Sequence, residues 1–342
     1  MTHAAAHRAA PANHERTLVR TLREVAPELG LAVETLGDGW IVRVSRPASG
    51  GRPAIARHIY GYGFDLNPAG THAIACDKAA TSEVLAQQGV PRVEHRLFLH
   101  PRMAKFVAHD GTWRQLLNAW GSWSGDVVVK ENAGTGGRDV LRCRTIVELE
   151  QAVYAHFERS NAIAVCPYHD IARETRFVML DGRCLLAYEK TRLTVTGDGA
   201  STVLELLAHA LMGAPGARSA AAGLLEEMDP AARAGLLDIP PAGQTRLLNW
   251  RHNLGQGAGV RVLDPGSSGC AAAHGAAVAA ARAINLRFGS VDVVESADGA
   301  GPMILEINAG VMMEFLTRAL PDGPALARRV YRAALEAMFA GV

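Results

Sequence analysis

Three residues near the end of the chain stand out for the chemistry they can do together. Asp292 sits in the apolar run Val291-Asp292-Val293-Val294, and Glu306 and Asn308 sit in Met303-Ile304-Leu305-Glu306-Ile307-Asn308. Acids inside apolar strands need a reason, because a charge without a partner is expensive to bury. Side chains alternate along a strand, so Glu306 and Asn308 share one face, and a hairpin neighbour brings Asp292 beside them. Two carboxylates and an amide oxygen make a hard oxygen set. Such a set suits Mg²⁺, which takes one or two carboxylates and completes its shell with nucleotide phosphates and water.

A second group surrounds Lys130, which ends the apolar run Asp126-Val127-Val128-Val129 and opens into a glycine-rich turn from Glu131 to Arg138. A lysine there reaches phosphates, and the bare backbone N–H groups of Gly134, Thr135, Gly136 and Gly137 can close over them as a lid. The turn is not a P-loop, since no Gly-Lys-Ser/Thr follows, and Asp139 stands where a dinucleotide fingerprint needs its third glycine. A third group is cationic: Glu174-Thr175-Arg176 leads into a hairpin with Lys190 and Arg192 on its far arm, and Arg251-His252-Asn253 follows later. Fixed cations converging on one site stabilise a phosphoryl group in transfer. His169, His252 and His274 share no metal-ligand spacing and read as satisfied polar groups, and no Gly-x-Ser-x-Gly is present for a serine hydrolase.

The elements that must hold these groups are legible from periodicity. Residues 18–29 have helical spacing and 40–44 alternate as a strand. Asp77 caps a helix over 78–88 that stops at Gly89, and a strand follows over 94–99. Strands over 126–130 and 139–143 flank the glycine turn, a helix covers 145–159, and a strand covers 162–166. Residues 175–180 and 183–188 form a hairpin around Asp181-Gly182. Thr202 and Glu205 have capping-box spacing before 206–212, and 271–285 is an Ala-rich helix. Strands over 290–295 and 302–308 and a helix over 323–340 close the chain, and 213–247 is a poorly patterned insertion. The pattern is mixed α/β (α+β), with an unpatterned tail over 1–14.

Composition sets the outer bounds. The 35 basic and 34 acidic residues nearly cancel in a chain of 342, so no basic field is available for nucleic acid. Five cysteines, at 76, 143, 166, 184 and 270, include no Cys-x-x-Cys pair and read as reduced, mostly buried thiols. No stretch approaches the length of apolar chain that a membrane helix needs, and the N-terminus lacks a signal-like apolar region. The expectation is a soluble, cytoplasmic protein, with a homodimer as the default assembly.

Taken in order, Asp77-Lys78 with Gly89-Val90-Pro91, the Lys130–Arg138 segment, Glu174-Thr175-Arg176, Asp292, and Glu306-Ile307-Asn308 resemble the ATP-grasp superfamily over roughly residues 60–320. Within it, the 196–207 segment and Asn253-Leu254-Gly255-Gln256-Gly257 are similar to cyanophycin synthetases, glutathione synthetases and ribosomal-protein glutamate ligases. The resemblance implies an N-terminal α/β lobe over 15–105, a central lid lobe over 106–168, and a C-terminal lobe over 169–342 carrying the metals, the last two clasping ATP. It implies that Lys130 and the glycine turn contact the nucleotide, with Glu174 in the same nucleotide site. Cys166, Pro167, Tyr168 and Asp170 would form the adenine hinge. Arg176 and Lys190 would face the acyl-phosphate, and Arg251 and Asn253 would lie by the γ-phosphate. Asp292, Glu306 and Asn308 would hold two Mg²⁺ ions, with Mn²⁺ an alternative. The implied activity is an ADP-forming ligase that joins an amino-acid or peptide carboxylate to an amine through an acyl-phosphate. A small-molecule phosphotransferase and a non-catalytic nucleotide-binding module are the alternatives. The second ligase domain of cyanophycin synthetases has no counterpart in this sequence.

Overall fold

A computed structural model describes residues 15–49, 53–103, 105–106, 113–134, 136–137, 139–212, 228 and 230–340. The expected tail over 1–14, residues 213–227 and 229 of the 213–247 insertion, Thr135 and Arg138 lie outside the described residues. Among the described residues, no helix is long and apolar enough to cross a membrane.

The contacts divide the chain into two units, residues 66–311 and a unit made of both ends, 1–65 with 312–342. The second of these has α1 (Thr17–Val25) packed against the helix Gly323–Phe339 and a three-stranded antiparallel sheet, β1 (Ala32–Leu36), β2 (Ile41–Arg46) and β3 (Ile55–Tyr60). Leu18, Leu22 and Val25 meet the period-3.6 stripe Leu326, Ala327, Val330 and Ala334, all buried. Tyr62 donates to the buried Glu314, and the Arg16 guanidinium lies over the Trp40 and Tyr62 rings. The closing helix was expected within the 169–342 lobe. Instead it belongs with the N-terminal sheet, because its apolar stripe matches that of α1.

The 66–311 unit begins with α2 (Ala69–Ala75) and α3 (Lys78–Gln87), whose N-cap Asp77 accepts from Ala80 N–H at 2.7 Å. Next comes an antiparallel sheet in the order β4 (Arg96–Leu99), β7 (Ala162–Pro167), β5 (Val127–Glu131), β6 (Leu141–Cys143). Because β4 is hydrogen-bonded to β7, the expected boundary at 105 cuts this sheet. Val127, Val129, Ile163 and Val165 face α4 (Trp113–Ser122) and α5 (Ile146–Phe157), while Val128 and Cys166 face the opposite way. Both faces are covered, so β5 reads as an unbroken apolar run rather than an alternating one. A reciprocal capping box between Thr145 and Glu148 starts α5.

A long hairpin, β8 (Ile171–Leu180) and β9 (Arg183–Thr191), turns at Asp181-Gly182, both in the left-handed region as a two-residue hairpin requires. A small sub-lobe follows, with β10 (Thr194–Thr196) paired to β11 (Thr245–Leu247) and α6 (Val203–Met212) beside them. The Thr202–Glu205 capping box sits at the start of α6. Then β12 (Gly259–Leu263), α7 (Ala271–Ala283), β13 (Phe288–Ser296) and β14 (Pro302–Asn308) complete a five-stranded antiparallel sheet in the order β12-β9-β8-β13-β14. Ala273, Ala277, Ala280 and Ala281 of α7 pack on Phe177, Met179, Val291 and Val293. Residues of opposite parity, Arg176, Lys190 and Asp292, point to the other face.

One irregularity decides what β14 presents. The register runs Asp292↔Glu306 and then Val293↔Ile304, a bulge that takes up Leu305. Ile304 and Ile307 therefore both face α7, and Leu305 and Glu306 fall together on the opposite side. At the base of the same strand pair, Gly289 approaches its neighbour so closely that a Cβ would lie 2.5 Å from the Asn308 carbonyl oxygen. Gly289→Ala is expected to lower stability by about 1–3 kcal/mol through this overpacking, read as the denaturation midpoint. An unchanged midpoint would contradict the close approach.

Candidate active site

The face of the five-stranded sheet turned away from α7 carries a chain of buried charges. Asp292, directly opposite Arg176 on β8 and Glu306 on β14, is fully buried. Arg176 binds it through two parallel bonds, Nε to Oδ1 at 2.6 Å and Nη2 to Oδ2 at 2.5 Å. Lys190 Nζ donates to Asp292 Oδ2 at 3.0 Å and to Glu174 Oε1. Glu306 lies 3.7 Å from Arg176 Nη2 and accepts from Asn308 Nδ2 at 3.2 Å.

Burial alone would push the Asp292 carboxyl up, but the Arg176 guanidinium and Lys190 ammonium outweigh it and hold it well below the usual carboxylate range. Burial dominates at Glu174 and pushes its carboxyl up despite Lys190. Burial and Arg176 push Lys190 down, yet Asp292 and Glu174 leave it raised. The three oxygen ligands read from the sequence do converge, but Asp292 is already committed to two cations.

Lys130 stands across from this cluster on β5. It is buried, 7% exposed, and among the described residues its ammonium makes no hydrogen bond or ion pair. A buried ammonium without a counter-ion is a standing site for an anion. Lys78, at the first position of α3, donates to the carbonyls of Gly134 at 2.6 Å and Asn132 at 3.4 Å, and Asn132 Oδ1 accepts from Ala79 N–H. Burial lowers the Lys78 ammonium, with Glu306 pulling the other way and Lys130 adding to the depression. Lys78 therefore lies near both charge groups and anchors the glycine turn. No role follows for it from the sequence alone, although one signal was present. A lysine at a helix N-terminus opposes the macrodipole and so needs another purpose.

Between the two sheets lies a packed apolar cluster. Val93, Val128, Cys166 and Val294 form its buried part, with Tyr168, Trp250, Met303 and Leu305 packed against it. Tyr168 and Trp250 meet edge-to-face with centroids 5.7 Å apart, and the Arg142 guanidinium sits 3.2 Å over the Tyr168 ring. Pro167 ends β7 opposite Val127, and Asp170 pairs with Arg192 at 3.2 Å on the surface.

Arg251 and Asn253, expected beside a γ-phosphate, hold the lid turn. Asn253 Nδ2 donates to Gly136 O at 2.8 Å, and Arg251 Nη1 lies 3.4 Å from Gly137 O and from Val140 O. The Gly137 φ of +65° and its missing side chain are both needed there, since a Cβ would collide with Asn253 Nδ2. Glu174, expected to contact nucleotide, is turned inward to Lys190. His252, expected as a satisfied histidine, has a buried Nδ1 with no hydrogen-bond partner, 3.7 Å from Glu174 Oε2.

Burial first, then Arg192 and Lys190, lower the His252 imidazole to about 4, with Asp170 opposing weakly, so it is neutral at pH 7. Its folded value lies below the ordinary 6.5. The unfolded chain therefore takes up a proton that the fold refuses as pH drops from 6.5 towards 4, and stability falls across that window. His252→Gln should remove up to ~1.4 kcal/mol per pH unit of this slope in denaturation measured against pH. The same slope in both proteins would refute the buried neutral imidazole.

No family model matches the chain. It is 29% identical over 154 residues to the glutathione biosynthesis bifunctional protein GshAB of Lactiplantibacillus plantarum, a span of 44% of this chain and 18% of that protein. It is 31% identical over 135 residues to cyanophycin synthetase of Nostoc, 39% of this chain and 14% of that protein. The chain thus matches less than a fifth of the length of either relative. The structure aligns with a bifunctional glutathione synthetase from Pasteurella multocida at a TM-score of 0.57 and 16% identity, over 95% of this chain and 44% of that one. The fold is that of the ATP-grasp proteins.

Proposed function

We propose that this chain, with its ATP-grasp fold, is an ATP-dependent ligase that joins an amino-acid-like or peptide carboxylate to an amine, releasing ADP and phosphate. The observation that carries the reading is Lys130, a buried ammonium without a hydrogen bond or ion pair among the described residues, on the strand whose Val128 packs with Val294 and Leu305 of the strand pair that bears Asp292, Glu306 and Asn308. An anion and a divalent cation bound together answer both halves of that arrangement.

The apolar side chains of Tyr168, Trp250, Met303 and Leu305, which are only partly buried at the edge of the cluster around Val128, Cys166 and Val294, would flank a planar base, with the backbone of residues 165–170 beside it. Its phosphates would meet Lys130, Lys78 and the N–H groups of the glycine turn. The hard oxygen set fits Mg²⁺ or Mn²⁺ in donor type, although Asp292 must first give up part of its ion pair. Asp292, Glu306 and Asn308 would hold the metal, two ions by family resemblance. The metal would neutralise phosphate charge in the transfer.

Arg176 and Lys190 would then be free to stabilise the phosphoryl group as a carboxylate oxygen attacks the γ-phosphorus and the bond to ADP breaks. An amine next attacks the acyl carbon, the carbon–oxygen bond to phosphate breaks, and the amine proton leaves to solvent. Arg251 and Asn253, by holding the glycine turn down, would exclude water from the acyl-phosphate. The substrates are read as small molecules, the site of action as the cytoplasm and the assembly as a homodimer.

The test is ADP release with Mg²⁺-ATP across amino acids and dipeptides, offered singly and in pairs. ADP is expected only with particular pairs, matched by a dehydrated condensation product in mass spectrometry. Lys130→Ala and Glu306→Ala should each reduce turnover by about 100-fold or more. A stable phosphorylated product from one compound alone would replace the ligase with a phosphotransferase. Tight ATP binding without turnover would favour a binding module.

A further inference from the structure

Asp292 has every partner it needs before any ligand arrives. Arg176 covers both of its oxygens, Lys190 takes Oδ2 as well, and the side chain is 1% exposed. The two cations are not equally bound. Lys190 also holds Glu174, so it can release Asp292 and keep a counter-ion. For Arg176 the next carboxylate is Glu306, at 3.7 Å. A divalent cation arriving alone would be placed against both cations with no new anion to receive them, an uncompensated arrangement in a desolvated site.

We propose that Arg176 and Lys190 occupy Asp292 as stand-ins for the divalent cation, so that this half of the metal site opens only when a phosphate group offers them a new partner. Glu174 is then a positioning residue that keeps Lys190 in place during the exchange. The inference rests on the nucleotide reading given above. No covalent bond is made or broken. Asp292 passes from two cations to the metal, and the two cations pass from one carboxylate to phosphate oxygens. Metal and nucleotide affinities are consequently coupled, and each raises the other by the same factor.

Mn²⁺ binding, followed by electron paramagnetic resonance on the full chain with and without ADP, tests this directly. Without ADP the wild-type protein should bind Mn²⁺ about 100-fold more weakly than with it. Arg176→Met and Lys190→Met should each gain nucleotide-free Mn²⁺ binding by about tenfold or more, Arg176→Met the more strongly because it removes two of the three contacts to Asp292 and frees Oδ1 completely. Lys130→Met removes the same charge without touching Asp292 and should gain nothing.

If Lys130→Met gains as much as the other two, net charge governs the effect and the proposal is overturned. It is equally overturned if the wild-type protein binds Mn²⁺ alone as tightly as Arg176→Met does. Should Arg176→Met fail to fold, Arg176→Lys keeps a cation but gives up the two-pronged contact, and an intermediate gain is expected. A wild-type protein that binds no nucleotide, while Arg176→Met still gains Mn²⁺, would remove the nucleotide reading and leave the occupation of Asp292 standing.

Discussion

The buried carboxylate of Asp292 is the constraint on which the site depends. A charge sealed at the centre of a sheet must be matched at once, and the two-pronged Arg176 contact with Lys190 beside it does this within a single face of three strands. That match fixes the register of β8 against β13, because a slip of one residue would turn Arg176 towards α7 and leave Asp292 alone. The same register sets Glu306 opposite Asp292 and brings Asn308 onto its face. Electrostatics and strand pairing therefore specify each other here. Polar residues that would be a liability in an ordinary core decide its alignment.

The second sheet contributes by contrast. β5 is buried on both faces, with one face committed to α4 and α5 and the other offering an apolar surface that ends in Lys130. The Lys130 ammonium is buried at the end of that surface and makes no ion pair among the described residues. The two sheets are thus complementary in kind, one self-neutralised and one expectant. The glycine turn stands beside them, held from one side by Lys78 and from the other by Arg251 and Asn253.

Much of this was legible in the sequence, and the parts that were not share a cause. The strand pair carrying Asp292, Glu306 and Asn308, the β8–β9 hairpin and the caps at Asp77 and Thr202 follow from local rules of period and capping. What periodicity cannot give is which charge meets which. Arg176 and Asp292 are far apart in the chain, and only sheet order makes them partners. Glu174, Arg251 and Asn253 were placed at the ligand by resemblance, and their protein partners Lys190, Gly137 and Gly136 come from tertiary placement that no local rule reveals. The Leu305 bulge was hidden for a similar reason, since it breaks the alternation that strand reading assumes. The placement of the last helix needed knowledge of which apolar stripe it would match.

The pairing of the chain's two ends also bears on how the protein is made. Residues 66–311 form a continuous stretch that can assemble as it leaves the ribosome, whereas α1 is synthesised before that stretch and lacks the helix Gly323–Phe339 that packs on it. At the usual 5–20 residues per second, that wait lasts about 10–50 s. During it, Leu18, Leu22 and Val25 lack the cover of that helix, so this apolar stripe is sheltered only after residues 66–311 have emerged, and a chaperone has reason to engage the nascent chain there.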